Sequence, residues 1–190
     1  MQNHKDIPLN YDPTNILDVL QGYALPRDES TDTSVCSTTE IEKISKVLNL
    51  GLPIRSILYF RMGRNIKGLI HQDVNLNLPN FRINHALNLP LANCDDVYMK
   101  WFTQIDLSVN AIPFGGPTFG SPTPLLDRDN SICIDTVKCN TTQLVNVNDW
   151  HAIENHSLEN CAYLISIRFA LHIKPSMDLP LSEWINKSQP

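Results

Sequence analysis

The sequence predicts an all-β protein with a short N-terminal helical part. From about Arg55 to Ile173, short runs of β-branched, aromatic and alternating apolar residues are separated by clusters of Gly, Pro, Asn and Asp. Thirteen prolines among 190 residues also leave little room for long helices. Many short strands at this spacing are typical of a sandwich or a barrel.

One amphipathic helix is predicted before the strands. Residues 37–40 match the capping-box pattern Ser-x-x-Glu, and Ile41, Ile44 and Leu48 fall on one helical face. Gly51 follows the last apolar position, which is typical of a helix end. We therefore expect a helix of about three turns that packs its apolar face on the β domain.

Two segments are predicted to be loops. Residues 28–34 are polar throughout and are a candidate for a mobile lid. Residues 113–122 are rich in Pro and Gly, which is incompatible with regular structure, and we place this loop at the mouth of a site.

The chain is expected to form a single domain, because 190 residues can bury one core and no repeat or change of composition divides them. Residues 1–52 are predicted to be a polar N-terminal segment with the helix packed on the barrel. Residues 53–174 are predicted to be the β domain, and residues 175–190 a proline-bearing tail.

Composition excludes several classes of function. A net charge of −5 disfavours a nucleic-acid partner, and no apolar segment is long enough to span a membrane or to serve as a signal peptide. The five cysteines are scattered without a Cys-x-x-Cys pair, which favours reduced thiols and a cytoplasmic location. The oligomeric state is left open.

A His-x-Asp motif is the main candidate for chemistry. His71 and Asp73 lie two residues apart in a strand-like segment, so that their side chains share a face, and His151 opens another strand-like run. Two histidines and one carboxylate form the facial triad of non-haem Fe(II) oxygenases. The alternatives are a solvated surface pair and a His151 that hydrogen-bonds Asp149 or the backbone; a second copy of the motif, at residues 4–6, is interpreted as coincidence.

The order of these motifs resembles the 2-oxoglutarate- and Fe(II)-dependent dioxygenases, especially small bacterial and phage members of the aspartyl/prolyl-hydroxylase-like branch. The matching stretches lie between about residues 55 and 170 and are 58–61, 70–73, 86–94, 101–102, 150–155 and 165–169. The resemblance implies a double-stranded β-helix, a cupin-like jelly roll, with His71, Asp73 and His151 as metal ligands and catalytic residues. It also implies Fe(II), 2-oxoglutarate and O2 as cofactor and cosubstrates, and hydroxylation of an amino-acid, peptidyl or other small-molecule substrate.

The resemblance is incomplete at the cosubstrate site. The family places a basic residue about ten positions after the second histidine, where it binds the distal carboxylate of the oxoacid. Cys161 and Ala162 occupy that place in this chain. Three explanations remain open: Arg168, Arg82 or Arg61 supplies the charge, the oxoacid is held differently, or the activity is lost. We favour the first, with Arg168 as the leading candidate.

Five further side chains are candidates for the site or for the core. Asn88 and Tyr59 are expected to line the cosubstrate pocket or to belong to a buried hydrogen-bond network. Trp101 and Phe102 are expected to pack in the core. A Cys161 nucleophile is conceivable but lacks a convincing partner to orient its base.

Two other functions remain possible from the sequence. The first is a non-catalytic jelly roll that binds a metal or a sugar-like ligand, and the second is a cupin-type metalloenzyme that uses O2 without an oxoacid. Zinc would also accept the same ligands.

Overall fold

The computed structural model of the chain describes residues 2–24, 30–73, 85–107, 112–115, 122–170, 173 and 175–184. Within these ranges the helices and strands follow the order β1 (His4–Asp6), α1 (Pro13–Leu20), β2 (Thr31–Val35), α2 (Thr38–Leu48), β3 (Ile54–Met62), β4 (Ile66–Lys67), β5 (Ile70–His71), β6 (His85–Ala92), β7 (Val97–Gln104), β8 (Ile112–Gly115), β9 (Pro122–Leu126), β10 (Ser131–Lys138), β11 (Gln143–Asn146), β12 (His151–Asn155) and β13 (Ala162–Phe169). Short 3-10 helices are formed by Cys94–Asp96, Arg128–Asn130 and Leu181–Glu183.

The strands form two antiparallel sheets, which confirms the all-β prediction. The first sheet has six strands in the order β1-β11-β6-β13-β3-β2. The second has seven, in the order β10-β7-β12-β5-β9-β8, with β4 paired to β12 beside this path. The chain therefore crosses repeatedly between the sheets, since β3, β6, β11 and β13 belong to the first and β5, β7, β10 and β12 to the second.

The six-stranded sheet is buried on both faces. Strand β13 shows this by alternation, because Leu164 joins a core that includes Met99 and Trp101 of the second sheet, whereas Ile165 and Ile167 join a core beneath the helices. The C-terminal tail completes the helix-side core with Trp184, which is fully buried. The inner face of this sheet is the one that looks toward the second sheet.

Helix α2 confirms the sequence prediction. Ser37 caps its first turn in a capping box with Glu40, and Ile44 and Leu48 are buried. The helix ends at Asn49 in a left-handed conformation, so that Asn49 takes the capping position that the sequence pattern assigned near Gly51.

Helix α1 was not predicted. Asp12 caps it by accepting a hydrogen bond from the Thr14 N–H at 2.9 Å, and Pro13 occupies the first turn. Ile16 and Leu20 pack it onto the first sheet. An Asp-Pro start is a helix signal, but eight residues are too few for a clear apolar period.

Both predicted loops contain strands. Residues 31–34 of the polar segment belong to β2 (Thr31–Val35), which pairs with β3 at the edge of the first sheet. Residues 112–115 form β8, paired with Pro122–Leu126. The loop prediction is therefore wrong at the ends of the 113–122 segment, because an edge strand tolerates proline; residues 116–121 lie outside the described part.

Three simpler expectations can be compared directly. All five cysteines are free thiols. Among the described residues, neither helix is long and apolar enough to cross a membrane. Phe102 and Trp101 are both buried, as expected for core aromatics.

Gly68 is expected to be essential for the close approach of two strands. Its N–H donates to the Ile153 carbonyl at 3.0 Å, and a Cβ would lie 2.2 Å from the same oxygen. Gly68→Ala should lower the free energy of unfolding by about 2–3 kcal/mol, because backbone would have to move away from backbone. Gly22→Ala, which meets nothing within 4 Å, should change it by less than about 1 kcal/mol. Urea unfolding measures both, and equal effects would contradict the contact.

Candidate metal centre

The two predicted histidines face each other across a strand pair. His71 ends β5, His151 begins β12, and the two residues are direct partners in the antiparallel register. Their ring centroids lie 4.4 Å apart. Directly opposed residues point to the same face of a sheet, so the register itself brings the two imidazoles together.

Asp73 completes the group just beyond the end of β5. Its N–H donates to the Val147 carbonyl at 2.9 Å, which holds the chain beside the turn that precedes β12. The carboxylate oxygen Oδ1 lies 3.4 Å from His71 Nε2 and 3.9 Å from His151 Nε2. One ligand atom from each of the three residues lies within 4.8 Å of the others, so the structure brings the predicted triad together.

Backbone hydrogen bonds orient both imidazoles. His71 Nδ1 lies 3.0 Å from the Leu69 carbonyl oxygen, and His151 Nδ1 lies 2.8 Å from that of Asp149. A carbonyl can only accept, so Nδ1–H donates in each ring and, in the neutral form, the lone pair is on Nε2. Fixing a metal-binding imidazole through its other nitrogen is the usual arrangement around protein-bound metals.

Asp73 is held in its ionised form. Burial by itself would raise the pKa of this carboxyl, but Arg168 and the two histidines together hold the pKa well below its usual range. Its Oδ1 atom is buried and, within the described structure, accepts no hydrogen bond. A buried acceptor without a donor costs about 1–3 kcal/mol, and a cation between the three side chains would satisfy it.

The pKa values of the two histidines are shifted in opposite directions. Burial and the neighbouring His71 lower the pKa of His151 to about 3, so His151 is neutral and ready to bind a metal. Burial also lowers the pKa of His71, but Asp73 outweighs burial and the net pKa is raised.

The donor set fits a divalent transition metal. Two imidazole nitrogens and one carboxylate oxygen suit Fe(II) with open positions, and the same atoms suit Zn(II) in a catalytic site. No protein-family model matches the chain, and comparison with curated proteins finds no match. Function must therefore be inferred from the chemistry of the site itself.

Two further predicted residues lie on the inner face of the first sheet. Arg168 is only 3 % exposed, and its guanidinium donates to Asp73 Oδ2. Asn88 accepts a hydrogen bond from Ser166, which in turn accepts one from Arg168. Ser166 was missed by the sequence reasoning, although the Ser-x-Arg spacing on β13 places both side chains on one face.

The remaining candidates lie elsewhere. Tyr59 belongs to the helix-side core, where its ring stacks on Tyr163, so this placement does not fit the expectation that it lines a pocket at the metal centre. The guanidinium of Arg61 lies 5.3 Å from the centroid of the Tyr23 ring, on the same side of the sheet as Tyr59. Arg82 lies outside the described residues.

The second His-x-Asp motif forms no comparable group. His4 stacks on Trp101 with ring centroids 5.9 Å apart, whereas Asp6 accepts hydrogen bonds from Thr141 and Gln143. Among the described residues, only the His71 group brings three or more metal-ligating side chains together. This agrees with the interpretation of residues 4–6 as coincidence.

The opposite face of β12 is anchored by a buried carboxylate. The side chain of Glu154 is 1 % exposed and lies 2.6 Å from Lys100, 2.7 Å from Arg128 and 2.8 Å from His156. Arg128 also donates to the Gly68 carbonyl at 2.6 Å. One carboxylate therefore ties β12 to β7 and to the segment before β5, the strands that position the triad.

Glu154→Gln is expected to lower stability and to flatten its pH dependence. Burial raises the pKa of Glu154, but Lys100, His156 and Arg128 outweigh it and lower the pKa to about 2 from 4.5. The contribution is therefore fully present above about pH 5 and is lost as the pH falls toward about 2. The variant should lose about 3 kcal/mol of unfolding free energy at neutral pH. Urea unfolding across this pH range measures it, with the exposed Glu159→Gln as control; parallel pH curves for wild type and Glu154→Gln would contradict the assignment.

Metal binding is expected to stabilise the fold through Asp73. Co(II) at about 100 times its Kd should raise the unfolding free energy of the metal-free protein by about 2.7 kcal/mol. Asp73→Asn should abolish most of this gain, because a neutral amide is a poor metal ligand, whereas His156→Gln should retain it. Thermal and urea unfolding with and without Co(II) provide the measurement. Equal stabilisation of wild type and Asp73→Asn would show that the metal binds elsewhere.

Proposed function

We propose that this chain is a mononuclear non-haem Fe(II) oxygenase that uses 2-oxoglutarate and O2 to hydroxylate a C–H bond of an amino-acid, peptidyl or other small-molecule substrate. The observation that carries the proposal is the convergence of one ligand atom each from His71, His151 and Asp73 within 4.8 Å of one another. A 2-His-1-carboxylate group binds one face of Fe(II) and leaves positions open for other ligands.

The strand arrangement favours a double-stranded β-helix as the fold of this oxygenase. Strands β3, β5, β6 and β7 alternate between the two sheets, and β10 to β13 alternate in the reverse sense. All the pairings are antiparallel, and the partial orders β11-β6-β13-β3 and β10-β7-β12-β5 place early strands beside late ones. This interleaving is what two Greek keys in a jelly roll produce.

In the proposed reaction, the bound groups and the protein have separate roles. When bound, Fe(II), 2-oxoglutarate and O2 would supply the oxidising power for the hydroxylation, with succinate and CO2 as the products of the oxoacid. His71 and His151 would hold the metal through Nε2, and Asp73 would offset part of its charge. Trp101, the fully buried partner of His151 on β7, helps to keep water out of the site.

A second candidate is a cupin-like metal protein that uses no oxoacid. One observation favours it: Arg168, the leading candidate for the oxoacid carboxylate, donates instead to Asp73 and Ser166. These contacts take three of the five N–H groups of a guanidinium and leave two for a ligand. The two candidates therefore differ in whether an oxoacid reaches the centre.

Anaerobic titration of Fe(II) and 2-oxoglutarate into metal-free protein tests the proposed function. Chelation of Fe(II) by the oxoacid should produce a visible charge-transfer band, because the metal retains open positions beside the triad. His71→Ala should abolish the band, whereas His156→Gln, which alters a half-exposed histidine on the outer side of β12, should keep it. Succinate release under O2 then identifies turnover.

The alternative results separate the two candidates. Fe(II) binding without the band would exclude the oxoacid and favour the second candidate. A band that persists in His71→Ala would contradict the triad itself.

A further inference from the structure

We propose that Arg168 is a positioning residue that fixes Asp73 so that only Oδ1 faces the metal. This inference rests on the metal centre proposed above. Arg168 donates to Asp73 Oδ2 from Nη2 at 2.5 Å and from Nε at 3.2 Å, and both bonds end on the same oxygen. Two donors occupy the lone pairs of Oδ2, whereas Oδ1, which lies 3.4 Å from His71 Nε2, accepts no hydrogen bond from the described residues.

The guanidinium is itself held in place by buried neighbours. Its Nη1 donates to Ser166 Oγ at 2.5 Å, and Ser166 donates to Asn88 Oδ1. Ser166 and Asn88 are direct partners in the register of β13 and β6. The Asn88 amide then contacts Met99 Sδ of β7 at 3.6 Å, so the chain of contacts runs from one sheet to the other. Arg168 is thus fixed before any ligand arrives.

The consequence is control over how many positions on the metal remain open. A carboxylate torsion is broad and roughly two-fold, so an unrestrained Asp73 could rotate and bind through both oxygens. Bidentate binding would close a position that a substrate or cosubstrate needs. Arg168 prevents this by holding Oδ2, which makes Asp73 a one-oxygen ligand.

The test compares Co(II) binding by Arg168→Gln, Arg168→Lys and Ser166→Ala with that of the wild type. Loss of a partner that orients a ligand typically weakens metal affinity about 10- to 100-fold, so Arg168→Gln should raise the Kd for Co(II) by this factor. Its Co(II) visible spectrum should also change, because the carboxylate binds differently. Arg168→Lys keeps the positive charge but loses the paired N–H donors of the guanidinium. It should therefore recover only a small part of the Co(II) affinity that Arg168→Gln loses. Ser166→Ala should shift the Kd less, in the same direction.

Arg61→Gln is the matched control. Arg61 is also buried, at 7 % exposed, and lies on β3 beside β13, but its side chain lies on the helix side of the sheet. This variant should leave both the Kd and the spectrum unchanged, which separates the loss of a buried arginine from the loss of this contact. Near-ultraviolet circular dichroism verifies that each variant is folded.

Each alternative result has a defined meaning. If Arg168→Gln or Arg168→Lys binds Co(II) with wild-type affinity and spectrum, the positioning role is overturned. If such an Arg168→Gln variant also loses the Fe(II)–2-oxoglutarate band, Arg168 binds the oxoacid, and the proposed function stands without this inference. If Arg168→Gln does not fold, Ser166→Ala decides, and an unchanged Kd there overturns the proposal. If the wild type binds no Co(II), the metal centre and the inference fail together.

Discussion

The candidate site depends on one strand pairing, that of β5 with β12. Only two residues make up β5, yet their register places His71 opposite His151 and allows Asp73 to follow beside Val147. The backbone hydrogen bonds of so short a strand are too few to hold it in position. Its neighbours hold it: Gly68 lies against the Ile153 backbone on one side, and Leu126 pairs with Ile70 on the other. The chemistry of the site therefore depends on backbone geometry as much as on side chains.

A buried carboxylate lies against each face of β12, and the two have different charged neighbours. Glu154 contacts three basic side chains, so its buried charge is fully compensated. Asp73 has one oxygen bound by Arg168 and the other buried without a hydrogen bond from the described residues. Each carboxylate has one buried oxygen that accepts no hydrogen bond from the described residues, Oε1 of Glu154 and Oδ1 of Asp73. The two oxygens differ in their neighbours: Arg128 Nη2 lies 2.7 Å from Glu154 Oε1, whereas Asp73 Oδ1 faces His71 Nε2 at 3.4 Å and His151 Nε2 at 3.9 Å. A permanent cation already compensates the outer oxygen, so the inner face of β12 is where a metal ion would add charge compensation.

Local patterns in the sequence were sufficient for part of the structure. The i, i+2 spacing predicted that His71 and Asp73 share a face, and the capping box predicted α2. The sequence could not predict on which face of the first sheet the Tyr59 side chain lies, because β3 is buried along most of its length and shows no polar alternation. Only the position of the helices shows that Tyr59 and Arg61 lie on the side away from the metal centre. Burial on both faces removes the signal that distinguishes inside from outside.

The position of Arg168 shows why counting along the chain was a poor guide to the cation at this site. Strand β12 runs away from the metal centre and β13 returns to the first sheet, so the connection between them lies at the far end of the sandwich. A basic residue at Cys161 or Ala162 would lie near the start of β13, six or seven residues and about 20 Å before Arg168. It could not reach Asp73. A cation that contacts the triad from β13 must come from the last residues of that strand, and Arg168 shares the inner face with Ser166 and Leu164. The length of the β12–β13 connection, rather than the distance from His151 in sequence, therefore determines which residue of β13 can contact Asp73 at the metal centre.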